Sequence, residues 1–310
     1  MTPIRIAAKI FVTPDPRAEV ELEPFIGLFH RFIQESALEG LLIDVADYAH
    51  VPEGPGVILI GHDVDYGIDA SEGRYGLLVT RKRLGDTPVA DVVLDVLRKA
   101  LIAVLATEQS GATPVRFDPR RIEISLIDRL ATPNSAEGFE QAKKQIAPVI
   151  EKLFGASGSL EREREDDARR ALTLCALSSD ASVDARSLLE RLGGDLESHR
   201  AEAGQSDWDV SVETLKRLRE EGAEFVLIDV RELHEVEICS LGGEHVPLDR
   251  LQEKMASLAR ESHVIVHCKV GGRGAKAVAA LRDAGFENAW NLKGGILAWI
   301  DHIDPSLSRY

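Results

Sequence analysis

From residue 207 onward, short apolar runs alternate with stretches in which apolar residues recur at helical spacing, as a parallel sheet covered by helices requires. This rhythm predicts strands over 225–230, 244–248, 263–268 and 289–292, and helices over 212–221, 250–260, 273–284 and 296–303. Gly222 and Gly285 follow two of these helices, where a left-handed residue ends the hydrogen-bond ladder. Before residue 194 the same reading gives two similar series. Strand 5–12, helix 24–35 and strands 41–51 and 56–62 correspond in type and order to strand 121–130, helix 136–154 and strands 159–165 and 168–177. The first series continues through an added strand, 76–81, to helix 89–107, and the second to helix 185–192. The fold class expected is therefore α/β in two parts, an internally duplicated sandwich over 1–193 and a parallel sheet with helices on both faces over 207–310. The polar stretch 194–206, poor in apolar anchors, reads as the linker.

Composition narrows the function classes. The chain has 310 residues, 44% of them hydrophobic, and a formal charge of −15, and both parts are acidic. Nucleic acid and anionic membrane are thus not expected partners, and the basic run Arg81-Lys82-Arg83 reads as a solvated strand end. No apolar stretch has the roughly 20 residues of a membrane span, and the first residues lack the apolar core of a signal peptide. Cys175, Cys239 and Cys268 are too scattered for a disulfide framework or a zinc site, which fits a reducing, cytoplasmic compartment. Cys175, inside the apolar run 171–177, reads as a core residue.

Cys268 is different. The apolar strand 263–267 delivers it onto Lys269-Val270-Gly271-Gly272, and Arg273 opens the next helix. The glycines allow backbone N–H groups to curl around the sulfur, and the helix N-terminus and both cations favour its anion. The thiol pKa is expected to fall, which would make Cys268 a nucleophile.

With this loop in view, residues 207–310 resemble the rhodanese family, the single-domain sulfurtransferase module. Leu227-Ile228-Asp229-Val230-Arg231-Glu232 resembles its strand-end aspartate and arginine motif, and Leu292-Lys293-Gly294-Gly295-Ile296-Leu297-Ala298-Trp299 its closing glycine-glycine-to-tryptophan segment; Cys268 aligns with the catalytic cysteine. Related phosphatases place five residues between cysteine and arginine; the four here suit a sulfane sulfur, and phosphatase chemistry is the lesser alternative. The resemblance implies a persulfide formed on Cys268 from a small sulfane-sulfur donor or a desulfurase, and delivered to a thiophile or to a protein recruited by the N-terminal domain. It implies no metal and no organic cofactor. Lys269, Val270, Gly271, Gly272 and Arg273 would bind substrate and stabilise the thiolate, Asp229 and Arg231 would support the turn, and His267 would pack at the strand end. Gly274 stands where the family often has serine or threonine, so a hydroxyl contact is absent. A non-catalytic adaptor that keeps the scaffold is the alternative from another class.

The N-terminal part resembles no family named from its residues. Its one chemically suggestive grouping is Asp44, Asp47, His50, His62, Asp63 and Asp65, with residues 61–67 read as a loop; the spacing matches no metal-ligand pattern, and capping is the expected role.

Overall fold

A computed structural model describes residues 3–194 and 208–310, so all of the expected linker except Gly194 lies outside the described residues. The chain divides into two compact units. One comprises Met1–Phe29, Leu38–Gly40 and Val45–Glu202, and the other His30–Ala37, Leu41–Asp44 and Ala203–Tyr310.

The eight-stranded sheet on which the first unit is built comprises β1 (Arg5–Thr13), β2 (Leu42–Tyr48), β3 (Gly56–Gly61), β4 (Val64–Asp69), β5 (Gly76–Arg81), β6 (Arg116–Ile127), β7 (Gly158–Glu163) and β8 (Leu172–Ser178), in the order β2-β3-β4-β5-β1-β6-β8-β7, although Leu42–Asp44 of β2 belong to the second unit. Strands β1 and β6 pair antiparallel in its interior, with Ile6 opposite Leu126 and Ile10 opposite Ile122. Helix α1 (Glu23–Gln34) follows β1. Helix α2 (Val89–Gln109) packs on β1, β5 and β6, α3 (Ala136–Phe154) packs on β7 and β8, and α4 (Ala185–Arg191) contacts both α2 and α3. The other face carries buried charge: Lys9 Nζ lies 2.5 Å from Asp69, and Glu123, 3% exposed, receives Arg74 at 2.8 Å and Arg164 at 3.1 Å. Pairing of opposite charges is what permits these groups on buried strand positions.

The pseudo-twofold relation maps β1-α1-β4-β5-α2 onto β6-α3-β7-β8-α4, since β5 holds beside β1 the place that β8 holds beside β6. The added strands are therefore β2 and β3 rather than 76–81. Residues 64–67, expected in a loop, open β4 instead. His62 and Asp63 supply the turn signal, but Val64, Tyr66 and Ile68 are all buried at the two-residue period of a strand.

The second unit is a five-stranded parallel sheet of β9 (Asp209–Val210), β10 (Val226–Asp229), β11 (Glu244–His245), β12 (Val264–His267) and β13 (Ala289–Leu292), ordered β11-β10-β12-β13-β9. The helices are α5 (Val212–Glu220), α6 (Leu233–Ile238), α7 (Leu251–Met255), α8 (Gly272–Asp283) and α9 (Gly295–His302). Gly222 and Gly285 take φ of 67° and 91°, the expected left-handed caps. Strand β9 and helix α6 are not foreseen, because two and six residues are too short to show a period. Ile228, Val264, Val266, Val278, Leu281 and Phe286 form the core around β10 and β12. No helix among the described residues is long and apolar enough to cross a membrane.

Candidate active site

Parallel strands in this unit end at a common edge, where α/β sheets carry their ligand sites. Cys268 stands immediately after β12 and Asp229 closes β10. Gly271 takes φ of 101°, outside the range of ordinary residues, and this bend turns its N–H onto Cys268 Sγ at 3.2 Å. The first turn of α8 adds the Gly274 N–H at 3.3 Å. The expected cradle of inward donors is present, with the helix beginning at Gly272, one residue early.

What fixes the loop is the closing glycine pair. The α9 amides of Ile296 and Leu297 donate to the carbonyls of Cys268 at 2.8 Å and Lys269 at 3.1 Å, so these carbonyls face α9. Gly295 is required for that approach, because a Cβ there would stand 2.4 Å from the Cys268 carbonyl oxygen.

Asp229 and Arg231 meet as a buried ion pair. Arg231, 0% exposed, reaches Asp229 Oδ2 at 2.5 Å and donates further to the Glu235 carbonyl at 3.2 Å, the Cys239 carbonyl at 2.9 Å and the Tyr310 hydroxyl at 2.5 Å. It thereby ties β10 to α6. His267 is also fully buried; neither ring nitrogen has a hydrogen-bond partner, and burial holds the ring neutral, with its pKa down to about 4. This is a packing residue at a strand end, as expected.

Arg273 is committed to carboxylates. It forms a bidentate pair with Glu235 at 2.5 and 2.7 Å, and its Nε lies 3.1 Å from Asp44 Oδ2. Despite its burial, Glu235 is held down to about pKa 2 by Arg273 foremost and by the N–H of Glu232. Neither Glu235 nor Asp44 was expected at the site. The Glu232-x-x-Glu235 spacing is a helix-capping signal that could have placed Glu235 at the start of α6. Nothing local marks Asp44. Of its former companions, Asp65 accepts from Lys82 at 2.8 Å and Asp47 from the Ala49 N–H at 2.8 Å, while His62 lies 3.2 Å from Arg83. Among the described residues no three His, Cys, Asp or Glu side chains are grouped to hold a metal.

The expected fall in the Cys268 pKa is overturned. Burial pushes the thiol up, and it outweighs the opposing effects of Arg273 and the N–H groups of Gly274, Gly271 and Val270. The cradle limits the rise without reversing it, so the resting group at neutral pH is the thiol. Alkylation of Cys268 by iodoacetamide should accelerate as pH rises through and beyond the ordinary thiol value of about 8.5, with no plateau near neutrality. A plateau reached by pH ~7 would show that the cradle outweighs burial. Cys175 is likewise pushed up, to about 12 with burial as the main cause, and both it and Cys239 are buried.

Gly274 has a spatial explanation. A Cβ at this position would stand 2.4 Å from Asn291 Oδ1, and Asn291 is fixed by donating to Asp209 at 2.7 Å. Gly274→Ser should therefore destabilise the unit by about 1–3 kcal/mol through overpacking, and Asn291→Ala added to it should recover part of the loss. Urea unfolding followed by tryptophan fluorescence reads this directly, because Trp208, Trp290 and Trp299 all lie in the second unit. A double variant weaker than the sum of the singles would refute the steric account.

Comparison with known proteins bears on residues 211–302, which match the family model described as Rhodanese-like domain. Similar curated proteins include "Adenylyltransferase and sulfurtransferase MOCS3-2" of Zea mays, 35% identical over 103 residues, covering 31% of this chain and 21% of that protein. "Probable adenylyltransferase/sulfurtransferase MoeZ" of Mycobacterium tuberculosis is 36% identical over 92 residues, covering 29% of this chain and 24% of that protein. The chain thus spans less than a quarter of the length of these two relatives. Among solved structures, a rhodanese-like domain protein from Staphylococcus aureus is 25% identical with a TM-score of 0.29, covering 33% of this chain and 97% of that one. The cysteine loop, its glycine bend and the closing helix all fall within the matched stretch, and residues 211–302 are a rhodanese-like domain.

Proposed function

We propose that this protein is a sulfurtransferase that carries sulfane sulfur as a persulfide on Cys268. The observation that carries the reading is the pair of N–H groups, from Gly271 and Gly274, directed at the Cys268 sulfur. Such donors stabilise charge on a sulfur held at the loop. The word sulfurtransferase in the names of the two similar proteins supports the same assignment.

In the first half-reaction the thiol loses its proton to solvent, and the thiolate attacks the outer sulfur of a donor such as thiosulfate. A new S–S bond forms to Cys268, the S–S bond of thiosulfate breaks, and its electron pair leaves with sulfite. In the second, cyanide or an acceptor thiolate attacks the outer sulfur, and the electron pair of the persulfide bond returns to Cys268. These steps use the loop alone. The donor in the cell is a small sulfane-sulfur compound or a desulfurase, and the acceptor a thiophile or a protein, with the first unit available for its recruitment.

Mixing the full chain with thiosulfate should release one equivalent of sulfite per chain and add the mass of one sulfur atom, removable by cyanide as thiocyanate. No added sulfur at any thiosulfate concentration, with Cys268 still open to alkylation, would leave the adaptor reading in its place.

A further inference from the structure

Two cations were expected to meet an anionic donor, yet Arg273 is already paired with Glu235 and Asp44. Lys269 is not paired in this way: among the described residues it forms no ion pair, and its Nζ lies 4.7 Å from the centroid of the Tyr310 ring. That ring is anchored from beneath. The Tyr310 hydroxyl accepts from Arg231 at 2.5 Å and donates to Glu235 at 3.3 Å, the same carboxylate that holds Arg273. Tyr310 thus bridges the two ion pairs behind the cysteine loop and offers its face to the first residue of that loop. An ammonium on an aromatic face keeps its full charge and hydrogen-bond donors, whereas a carboxylate partner would cancel the charge.

From this arrangement we propose that Tyr310 is a positioning residue. It holds the Lys269 ammonium at the loop so that Lys269 supplies the positive charge recognising a small, doubly charged sulfur donor of the thiosulfate class. The inference rests on the sulfurtransferase reading, and it deepens that reading by naming the cation that selects the donor and the residue that places it. Tyr310 acts through Lys269, and its ring is the operative part; the hydroxyl fixes the ring to Arg231 and Glu235.

The test compares two alkylating probes of similar size on Cys268 in the full chain, anionic iodoacetate and neutral iodoacetamide. The ratio of their rates reads the charge presented at the sulfur and is independent of turnover. Lys269→Met should lower the iodoacetate-to-iodoacetamide ratio about three- to tenfold, from loss of one charge within several ångströms. Tyr310→Leu should lower it to a similar extent, Tyr310→Phe should stay within about twofold of the wild type, and the Lys269→Met/Tyr310→Leu double variant should fall no further than Lys269→Met alone. Thiosulfate KM should rise in the same order while the rate with saturating donor changes less. A ratio unchanged in Lys269→Met, or lowered in Lys269→Met but not in Tyr310→Leu, overturns the proposal. So does a parallel loss of both alkylation rates in Tyr310→Leu, which is the mark of a purely structural role. Absence of sulfur uptake in the wild type would refute the sulfurtransferase reading, while the alkylation ratio would still decide whether Tyr310 places the charge.

Discussion

Cys268→Ser should abolish sulfur uptake, reducing thiosulfate-dependent thiocyanate formation by at least about a thousandfold, because a serine hydroxyl at neutral pH is a far weaker nucleophile and cannot hold a persulfide. Cys175→Ser and Cys239→Ser should each keep the full added mass. All three cysteines are buried, Cys268 included, so burial does not separate them; Cys268 differs in standing at the end of β12 with the Gly271 and Gly274 N–H groups directed at its sulfur, whereas Cys175 lies inside β8. The substitution is nearly isosteric, so the second unit should keep its fold, and tryptophan emission serves as the control. Mass spectrometry after exposure to thiosulfate gives the answer in one measurement. Sulfur retained on Cys175 or Cys239 in the Cys268→Ser chain would remove Cys268 as the carrier.

The largest loss of stability is expected from Arg231→Met. The guanidinium has no exposure, and methionine would leave the Asp229 carboxylate, 2% exposed, without its partner. Against the upward pressure of burial, Arg231 holds Asp229 below the ordinary carboxylate range. Breaking one side of a buried pair costs about 3–5 kcal/mol. For a domain of this size that lowers the melting temperature by at least about 12 °C. Replacing both members, in Asp229→Leu/Arg231→Met, should be much milder than the sum of the two single changes, since no charge is then stranded. Tryptophan fluorescence on heating reads the transition of the second unit. A shift below about 3 °C for Arg231→Met would mean that solvent reaches the Asp229 carboxylate and that the pair does not organise the turn.

The parts legible in the sequence share a physical origin. Strand β12 and its cysteine, glycine bend and following helix form a local program: a short apolar run, a residue free to take positive φ, and a helix start. The segments 136–154, 76–81 and 289–292 were legible at the residue level for the same reason, since their periodicity and flanking breakers are contiguous in the chain. Strand β4 was missed because its turn formers and a glycine obscured a period of only three large apolar positions, Val64, Tyr66 and Ile68. The order of the eight-stranded sheet, and with it the identity of the added strands in the first half, is a matter of non-local pairing that no window of sequence contains.

The site divides along the same line. The sequence by itself pointed to the candidate sulfur, to the loop amides around it and to the four residues before Arg273, because all of these lie within the seven consecutive positions 268–274. Only the tertiary structure decided the charge state and the partners. Burial at the end of β12 raises the Cys268 pKa against its local donors, and Glu235 and Asp44 neutralise the arginine expected to face the donor. Tyr310, forty-one positions from Lys269, brings its ring beneath that lysine. Desolvation and Coulomb interaction depend on distances through space, and folding sets those distances between residues whose sequence separation carries no trace of them.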